Sequence, residues 1–184
     1  MVEVPVFATP YGDVLPSNKA LAGAGIELVG MERREYLLSD ALDTVQDRYD
    51  YILIDCPPSL ELLTLNGIVA ARSVLIPVQC EYYALEGLSD LMSTLRLVKR
   101  RLNPDIGVEG VLLTMYNGRT NLSMQVAEEV KRFFKGKVYA TVIPRNTRLA
   151  EAPSHGKPVM AYDKWSKGAE AYQALAAEVL EQNN

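Results

Sequence analysis

Asp55 is the residue of this chain best placed to do chemistry. It follows Tyr51-Ile52-Leu53-Ile54, a run of β-forming residues, and precedes Cys56-Pro57-Pro58-Ser59. That order predicts a buried parallel strand over Tyr51–Cys56 with Asp55 at its C-terminal end, where α/β sheets hold their ligands. A Walker-B acid, which organises Mg²⁺ and nucleotide phosphates, occupies such a position. Pro57 and Pro58 fix φ and remove two backbone donors, so the strand cannot continue past Cys56. Ser59 is suited to cap a helix that begins near Leu60. An isolated strand-end aspartate more often caps a turn; four apolar-type residues before it and Pro-Pro after it favour the phosphate and Mg²⁺ role.

The usual companion of such an acid is a glycine-rich turn whose backbone N–H groups cradle phosphate, followed by Lys and Ser or Thr. The chain has two Gly-Lys pairs, but Gly136-Lys137 is followed by Val138 and Gly156-Lys157 by Pro158. Neither has a glycine five residues earlier, and neither supplies the hydroxyl. Gly23-Ala24-Gly25 imitates the start of a dinucleotide fingerprint, without its third glycine and with no apolar strand leading into it. Half of a nucleotide site is therefore legible.

Two further strand ends face the same kind of crevice. Ile143-Pro144-Arg145-Asn146, followed by Arg148, could present backbone groups to a nucleobase or be a plain turn. Met115-Tyr116-Asn117-Gly118-Arg119 ends another run, with Asn117-Gly118 as a turn signal. Ser154-His155 has no oxyanion-hole signature around it, which argues against a hydrolytic nucleophile.

The elements that must position these residues alternate. Apolar β-rich runs occur at Asp13–Leu15, Tyr51–Cys56, Ser73–Gln79, Val108–Met115 and Val138–Ile143. Near-continuous hydrophobicity in the second, third and fourth predicts strands buried on both faces. Leu85, Leu88, Met92, Leu95, Val98 and Leu102 form a helical stripe, ended by Lys99-Arg100-Arg101 and Asn103-Pro104. Leu122, Val126, Val130 and Phe133 form a second stripe, and Tyr172, Leu175, Ala176 and Val179 a third. The expected class is α/β, a mostly parallel sheet with helices on both faces.

At 184 residues with 48% apolar content, one domain over residues 1–184 with a substantial core is expected. Cys56, Cys80 and the single His155 offer no zinc spacing, and the cysteines read as reduced, buried thiols. No apolar run is long enough for a transmembrane helix, and Met1-Val2-Glu3-Val4-Pro5 lacks the look of a signal peptide. Residues 1–92 carry 5 Lys/Arg against 14 Asp/Glu, a net of −9; residues 93–184 carry 14 against 9, a net of +5. The overall charge of −4 argues against a general polyanion binder but allows a basic face from the second half.

Taken together, Val14–Asn18, Leu21–Ala24, Tyr49–Leu60, Val78–Leu88, Gly110–Met115, Ile143–Asn146 and Glu151–Pro158 resemble the ParA/Soj family of chromosome and plasmid partitioning ATPases, a deviant Walker group that includes MinD. The resemblance runs from about Thr9 to Val179. It implies a P-loop NTPase-like fold of which the chain is the C-terminal two-thirds. It also implies ATP and Mg²⁺ as cofactors, dimerisation on ATP, nonspecific DNA binding and reset by a ParB-type partner, in the cytoplasm at the nucleoid.

By motif, Asp55 would be the Walker-B acid, holding Mg²⁺ through water. Pro144, Arg145 and Asn146 would lie beside the adenine, and Arg119 and Arg148 match basic positions associated with DNA contact. The family's Lys-Gly-Gly-x-Gly-Lys-Thr loop is not among these residues, so the chain alone is expected not to hydrolyse ATP and to bind nucleotide weakly if at all. Gly25 and Asn117-Gly118 depart from the family's glutamate and Asp-Ala. A non-enzymatic adaptor that keeps the DNA-facing and partner-facing surfaces is the alternative. A MinD-like membrane cycle fits poorly with the acidic end Glu178–Asn184, so no membrane partner is expected.

Overall fold

Three of the apolar runs pair as a parallel sheet in the computed structural model, which describes residues 6–57, 59, 61–82 and 84–183, the side chains of 84–86 excepted. In chain order the elements are β1 (Phe7–Thr9), β2 (Gly12–Val14), α1 (Lys19–Glu27), α2 (Leu37–Leu42), α3 (Leu62–Ala70), β3 (Ser73–Gln79), α4 (Ala84–Arg101), β4 (Gly107–Tyr116), α5 (Asn121–Phe133), β5 (Val138–Pro144), α6 (Thr147–Glu151), α7 (Val159–Tyr162) and α8 (Lys167–Gln182). They fall into two units, Met1–Arg72 with Ser93–Ile106, and Ser73–Met92 with Gly107–Asn184.

The second unit holds the sheet, in the order β3-β4-β5. β3 and β4 run parallel from Ser73↔Gly107 to Gln79↔Thr114, and β4 and β5 from Val111↔Val138 to Tyr116↔Pro144. β4 has a neighbour on each side, and Gly110 through Leu113 are buried in succession, as continuous hydrophobicity predicts. β3 differs from the expectation of two buried faces. Its Ile76 and Val78 are buried while Leu75 and Pro77 are exposed, so it is covered on one face only.

Leu112, Tyr139, Ile143 and Leu175 form a core cluster, with Leu149, Ala171 and Val179 packed against it. α8 is stapled to β5 by Glu178, whose carboxylate accepts the backbone N–H of Ala140 (2.6 Å) and of Thr141 (2.9 Å). On α5 the buried residues are Ser123, Val126, Ala127 and Val130, while Leu122 and Phe133 of the predicted stripe face solvent. Phe134, just past the helix, is buried instead: where the chain leaves the helix, the 100° step no longer governs which face a residue joins. On α8, likewise, Leu175 is buried and Tyr172 exposed.

In the first unit, the run at Asp13 forms β2 and pairs antiparallel with β1 (Phe7↔Val14), every residue of both strands exposed. It is a hairpin rather than a member of the parallel sheet. Gly23 and Gly25 lie within α1, which Asn18 caps by accepting the Ala20 N–H at 2.8 Å, so no glycine turn forms there.

Asn66 on α3, 4% exposed, organises this unit. Its amide donates to the carbonyls of Arg34 (2.8 Å) and Leu62 (3.0 Å) and its oxygen accepts Leu38 N–H (3.2 Å). Asn103, beyond α4, donates to the carbonyls of Val69 (3.0 Å) and Ala71 (2.8 Å), satisfying acceptors at the end of α3. The helix stop anticipated at Asn103-Pro104 is thus also a tertiary tie.

The strand expected over Tyr51–Cys56 does not form. Residues 50–57 carry no regular structure, Leu53 is 92% exposed, and Tyr51, Ile52 and Cys56 face solvent. A strand is defined by hydrogen bonds to a neighbour, and among the described residues none pairs with this segment. The helix after it begins at Leu62 with Glu61 as its N-cap and no side-chain bond, so Ser59 is not the cap. Pro58 and Leu60, which belong to the expected turn, lie outside the described residues, as do Tyr83 and Met1–Pro5.

Candidate functional site

The C-terminal ends of β3, β4 and β5 are joined into one rim. Cys80 N–H donates to the Thr114 carbonyl (3.0 Å), and Arg145 N–H donates to the Tyr116 carbonyl (3.3 Å). A register shift between Leu113 and Tyr116 places Met115 at φ 53°, a left-handed conformation that costs a non-glycine residue about 1–2 kcal/mol. Ser123, 2% exposed, accepts the Asn117 N–H at 3.0 Å and so ties the β4–α5 turn to its helix. Burial pushes the Cys80 thiol up, and its hydrogen bond with Ser123 works against that shift. Ser123 belongs to no motif, and no sequence signal marks it.

The residues expected at this rim lie at or follow the ends of β4 and β5. Pro144 ends β5, and the Arg145 guanidinium pairs with Glu81 at 2.5 Å. Asn146 is the N-cap of α6, its side-chain oxygen accepting Arg148 N–H at 2.9 Å. Arg119 follows an Asx turn in which Asn117 Oδ1 accepts its N–H at 3.1 Å, and it is exposed with no ion pair among the described residues. Arg148 is exposed too, but its Nη1 lies 2.8 Å from Glu151 Oε2 and its Nε 3.3 Å from Asp163 Oδ2. The hydrogen bond from Arg148 holds the Glu151 carboxyl below the usual carboxylate range, and the Tyr162 hydroxyl adds to the effect. His155 stacks on Tyr162 at 4.8 Å, and the Ser154 hydroxyl donates to the Glu151 carbonyl at 2.7 Å. Those two residues are thus engaged separately and make no nucleophile-base pair.

Asp55 belongs to the first unit, on the irregular segment, with its side chain exposed. Although Cys56 is exposed as a residue, desolvation of its sulfur and then the charge of Asp55 push the thiol up. The Cys56 sulfur rests on Gly67 of α3, where a Cβ would sit 2.7 Å from it, so a larger residue at 67 would displace the thiol.

A family model described as an AAA domain matches residues 3–108. The sporulation initiation inhibitor protein Soj of Bacillus subtilis is 63% identical over 167 residues, covering 91% of this chain and 66% of that protein. The chain belongs to the ParA/Soj family. A second ParA/Soj relative, the chromosome partitioning protein ParA of Myxococcus xanthus, is 55% identical, covering 94% of this chain and 61% of its own length. The chain thus spans a little under two thirds of these relatives. Among solved structures, cobyrinic acid a,c-diamide synthase from Mycobacterium smegmatis with bound ATP analog and magnesium superposes with a TM-score of 0.79 at 37% identity. That match covers 95% of this ParA/Soj chain and 65% of the synthase. The α/β class, a parallel sheet with flanking helices, is accordingly that of P-loop NTPases.

The described residues of this ParA/Soj chain do not by themselves fit Mg-ATP. Asp55 lies exposed on an unpaired segment, and no group of three His, Cys, Asp or Glu able to hold a metal occurs among the described residues. The 184 residues contain no glycine-lysine phosphate loop. No chemical step through nucleotide or metal is therefore assigned to them.

Proposed function

We propose that this chain serves in chromosome or plasmid partitioning as part of a ParA/Soj-type ATPase. In that reading the complete protein dimerises on binding ATP and Mg²⁺, attaches to DNA without sequence preference, and is reset by a ParB-type centromere-binding partner at the nucleoid. The observation that carries it is the 63% identity to Soj, extending over 91% of the chain. Arg119 and Arg148 follow the ends of β4 and β5 in the basic half and are the proposed DNA contacts. Pro144, Arg145 and Asn146 are the proposed neighbours of adenine, and Asp55 the proposed Walker-B acid, set at a strand end only when its segment gains a strand partner.

The 184 residues alone do not turn over ATP in this reading, because backbone amides, lysine and hydroxyl for the phosphates supply most of the stabilisation of phosphoryl transfer. Steady ATP hydrolysis by the purified chain, abolished by Asp55→Ala, would overturn that. DNA attachment is tested by titrating a labelled nonspecific duplex at several salt concentrations, with and without Mg-ATP. Binding should weaken steeply with salt and drop in Arg119→Ala and Arg148→Ala.

A second reading, a non-enzymatic DNA- or partner-binding adaptor, is favoured by the exposed, unpaired setting of Asp55. It requires DNA binding that is indifferent to nucleotide in the same titration. No described helix is long and apolar enough to cross a membrane.

A further inference from the structure

Arg119 and Arg148 share a proposed role but not an electrostatic setting. On the reading that Arg148 meets the DNA backbone, we propose that Glu151 and Asp163 form an acidic clamp on its guanidinium that holds phosphate affinity down until a carboxylate is displaced. The guanidinium has Glu151 Oε2 at 2.8 Å on one side and Asp163 Oδ2 at 3.3 Å on another. The Tyr162 hydroxyl, 3.2 Å from the same Glu151 oxygen, fixes that carboxylate. One cation between two carboxylates leaves a local charge of −1, so an arriving phosphate meets repulsion where Arg119 would offer attraction.

The clamp is assembled from two places in the chain. Glu151 is three residues after Arg148 on α6, and Asp163 caps the C-terminal end of α7. The connection between them turns at Gly156, whose φ of 60° favours glycine. Side chains in both pairs are 32% to 49% exposed, a setting in which an ion pair contributes at most about 1 kcal/mol. A contact that weak can yield to a phosphate, whereas a buried pair would be fixed structure. The clamp therefore lowers affinity without abolishing it and links DNA contact to the packing of residues 147–163.

The test compares the full chain with Arg148→Ala, Glu151→Gln, Asp163→Asn and the Arg148→Ala/Glu151→Gln double variant. Binding of a labelled nonspecific duplex is followed by anisotropy at low and moderate salt. Trp165, the chain's single tryptophan and two residues beyond Asp163, gives a fluorescence readout beside the site. Removing one negative charge near the phosphate, worth about 1 kcal/mol in water, should tighten binding about fivefold in Glu151→Gln and in Asp163→Asn. The salt dependence should steepen by about one phosphate contact. In the double variant the steeper salt dependence should vanish and only the direct loss of one repulsive charge should remain, because no guanidinium is left to be released.

Weaker or unchanged binding in both carboxylate variants, with Arg148→Ala still impaired, would show that the acids position Arg148 rather than mask it, and the clamp falls alone. Unchanged binding in Arg148→Ala removes Arg148 from the DNA interface, and the clamp falls with that assignment. No binding by any of the five proteins at low salt overturns both.

Discussion

Arg145, just past β5, reaches over the end of β4 to Glu81, just past β3, with 2.5 Å between guanidinium nitrogen and carboxylate oxygen and the two residues 64 positions apart in the chain. The pair spans the rim at which α/β sheets receive ligands, and it engages the arginine proposed to lie beside adenine. Because both side chains are more than half exposed, the pair adds little to stability. Glu81→Gln should cost less than about 1 kcal/mol in urea denaturation, and the difference should disappear near 1 M salt, where charges are screened within about 3 Å. A loss several times larger, or one insensitive to salt, would mean that the pair holds the rim together.

Gly110 and Tyr139 meet face to face between β4 and β5. A Cβ at position 110 would lie 2.4 Å from the tyrosine ring, and the ring, 2% exposed, belongs to the core cluster and has nowhere to go. Gly110→Ala should therefore destabilise the chain by about 1–3 kcal/mol through overpacking.

The Tyr139 hydroxyl itself has no hydrogen-bond partner among the described residues. A buried hydroxyl without a partner costs about 1–3 kcal/mol, so Tyr139→Phe is expected to be neutral or to raise stability by up to about 1 kcal/mol. A marked fall in the urea midpoint of that variant would reveal a partner for the hydroxyl.

How much of this was legible in the sequence depended on the range of the interactions that decide each element. β3, β4, β5, α4, α5 and α8 were readable because each carries its own apolar period, and burial of Val111, Leu113, Val98, Val130 and Leu175 follows it. Tyr51–Cys56 has the same composition as those strands, yet strand character depends on a partner that no residue within the run specifies. The turn at Asn117-Gly118 was readable as local chemistry. The ties made by Glu81, Asn66, Asn103 and Glu178 join residues 28 to 64 positions apart at their nearest long-range partners and leave no periodic trace. For Arg148 the sequence showed a cation; Glu151 lay at helical spacing, but Asp163 could be placed only by the fold.

Asn66 illustrates how one such tie can be tested. Three hydrogen bonds converge on its buried amide, one to Leu62 of its own helix and two with Leu38 and Arg34 of other segments. Asn66→Ala would leave the Leu38 N–H and the Arg34 carbonyl without that partner, at about 1–3 kcal/mol for each group left buried. The expected loss is about 3 kcal/mol by equilibrium unfolding, and a loss below 1 kcal/mol would show that water replaces the amide at little cost.

Glu178 sets an acid limit on the α8–β5 contact. Burial raises its pKa, but hydrogen bonds from Thr141 and Ala140 outweigh that and hold the carboxyl below the usual range. A carboxylate depressed in the folded state contributes stability above its unfolded pKa, and the contribution is lost as pH falls through the folded value. The contribution should be complete above the ordinary glutamate range and be lost as pH falls through the depressed folded value. Glu178→Gln, which keeps one acceptor oxygen, should lower stability at pH 7 by about 1 kcal/mol after allowance for solvent exposure and converge with the parent chain once acid has protonated the folded carboxyl. Parallel pH profiles for the two proteins would remove Glu178 from the acid limb.

The setting of Asp55 makes a prediction that does not depend on nucleotide. An amide in a sheet exchanges with solvent only when its hydrogen bond opens, whereas an unpaired exposed amide exchanges freely. Backbone groups of residues 50–57 make no hydrogen bonds among the described residues, and Leu53 is 92% exposed. Val111, Leu112 and Leu113 lie in the centre of the sheet and are at most 3% exposed. Hydrogen exchange of the chain should therefore label Ile52, Leu53 and Ile54 at nearly unprotected rates while β4 stays protected by several orders of magnitude. Adding a polypeptide that supplies a parallel strand should slow exchange at Ile52–Ile54 and leave β4 unchanged, because a strand partner is what the segment lacks. Strong protection in the isolated chain would mean that Tyr51–Cys56 is already paired, for instance with a second copy, and that Asp55 stands at a true strand end.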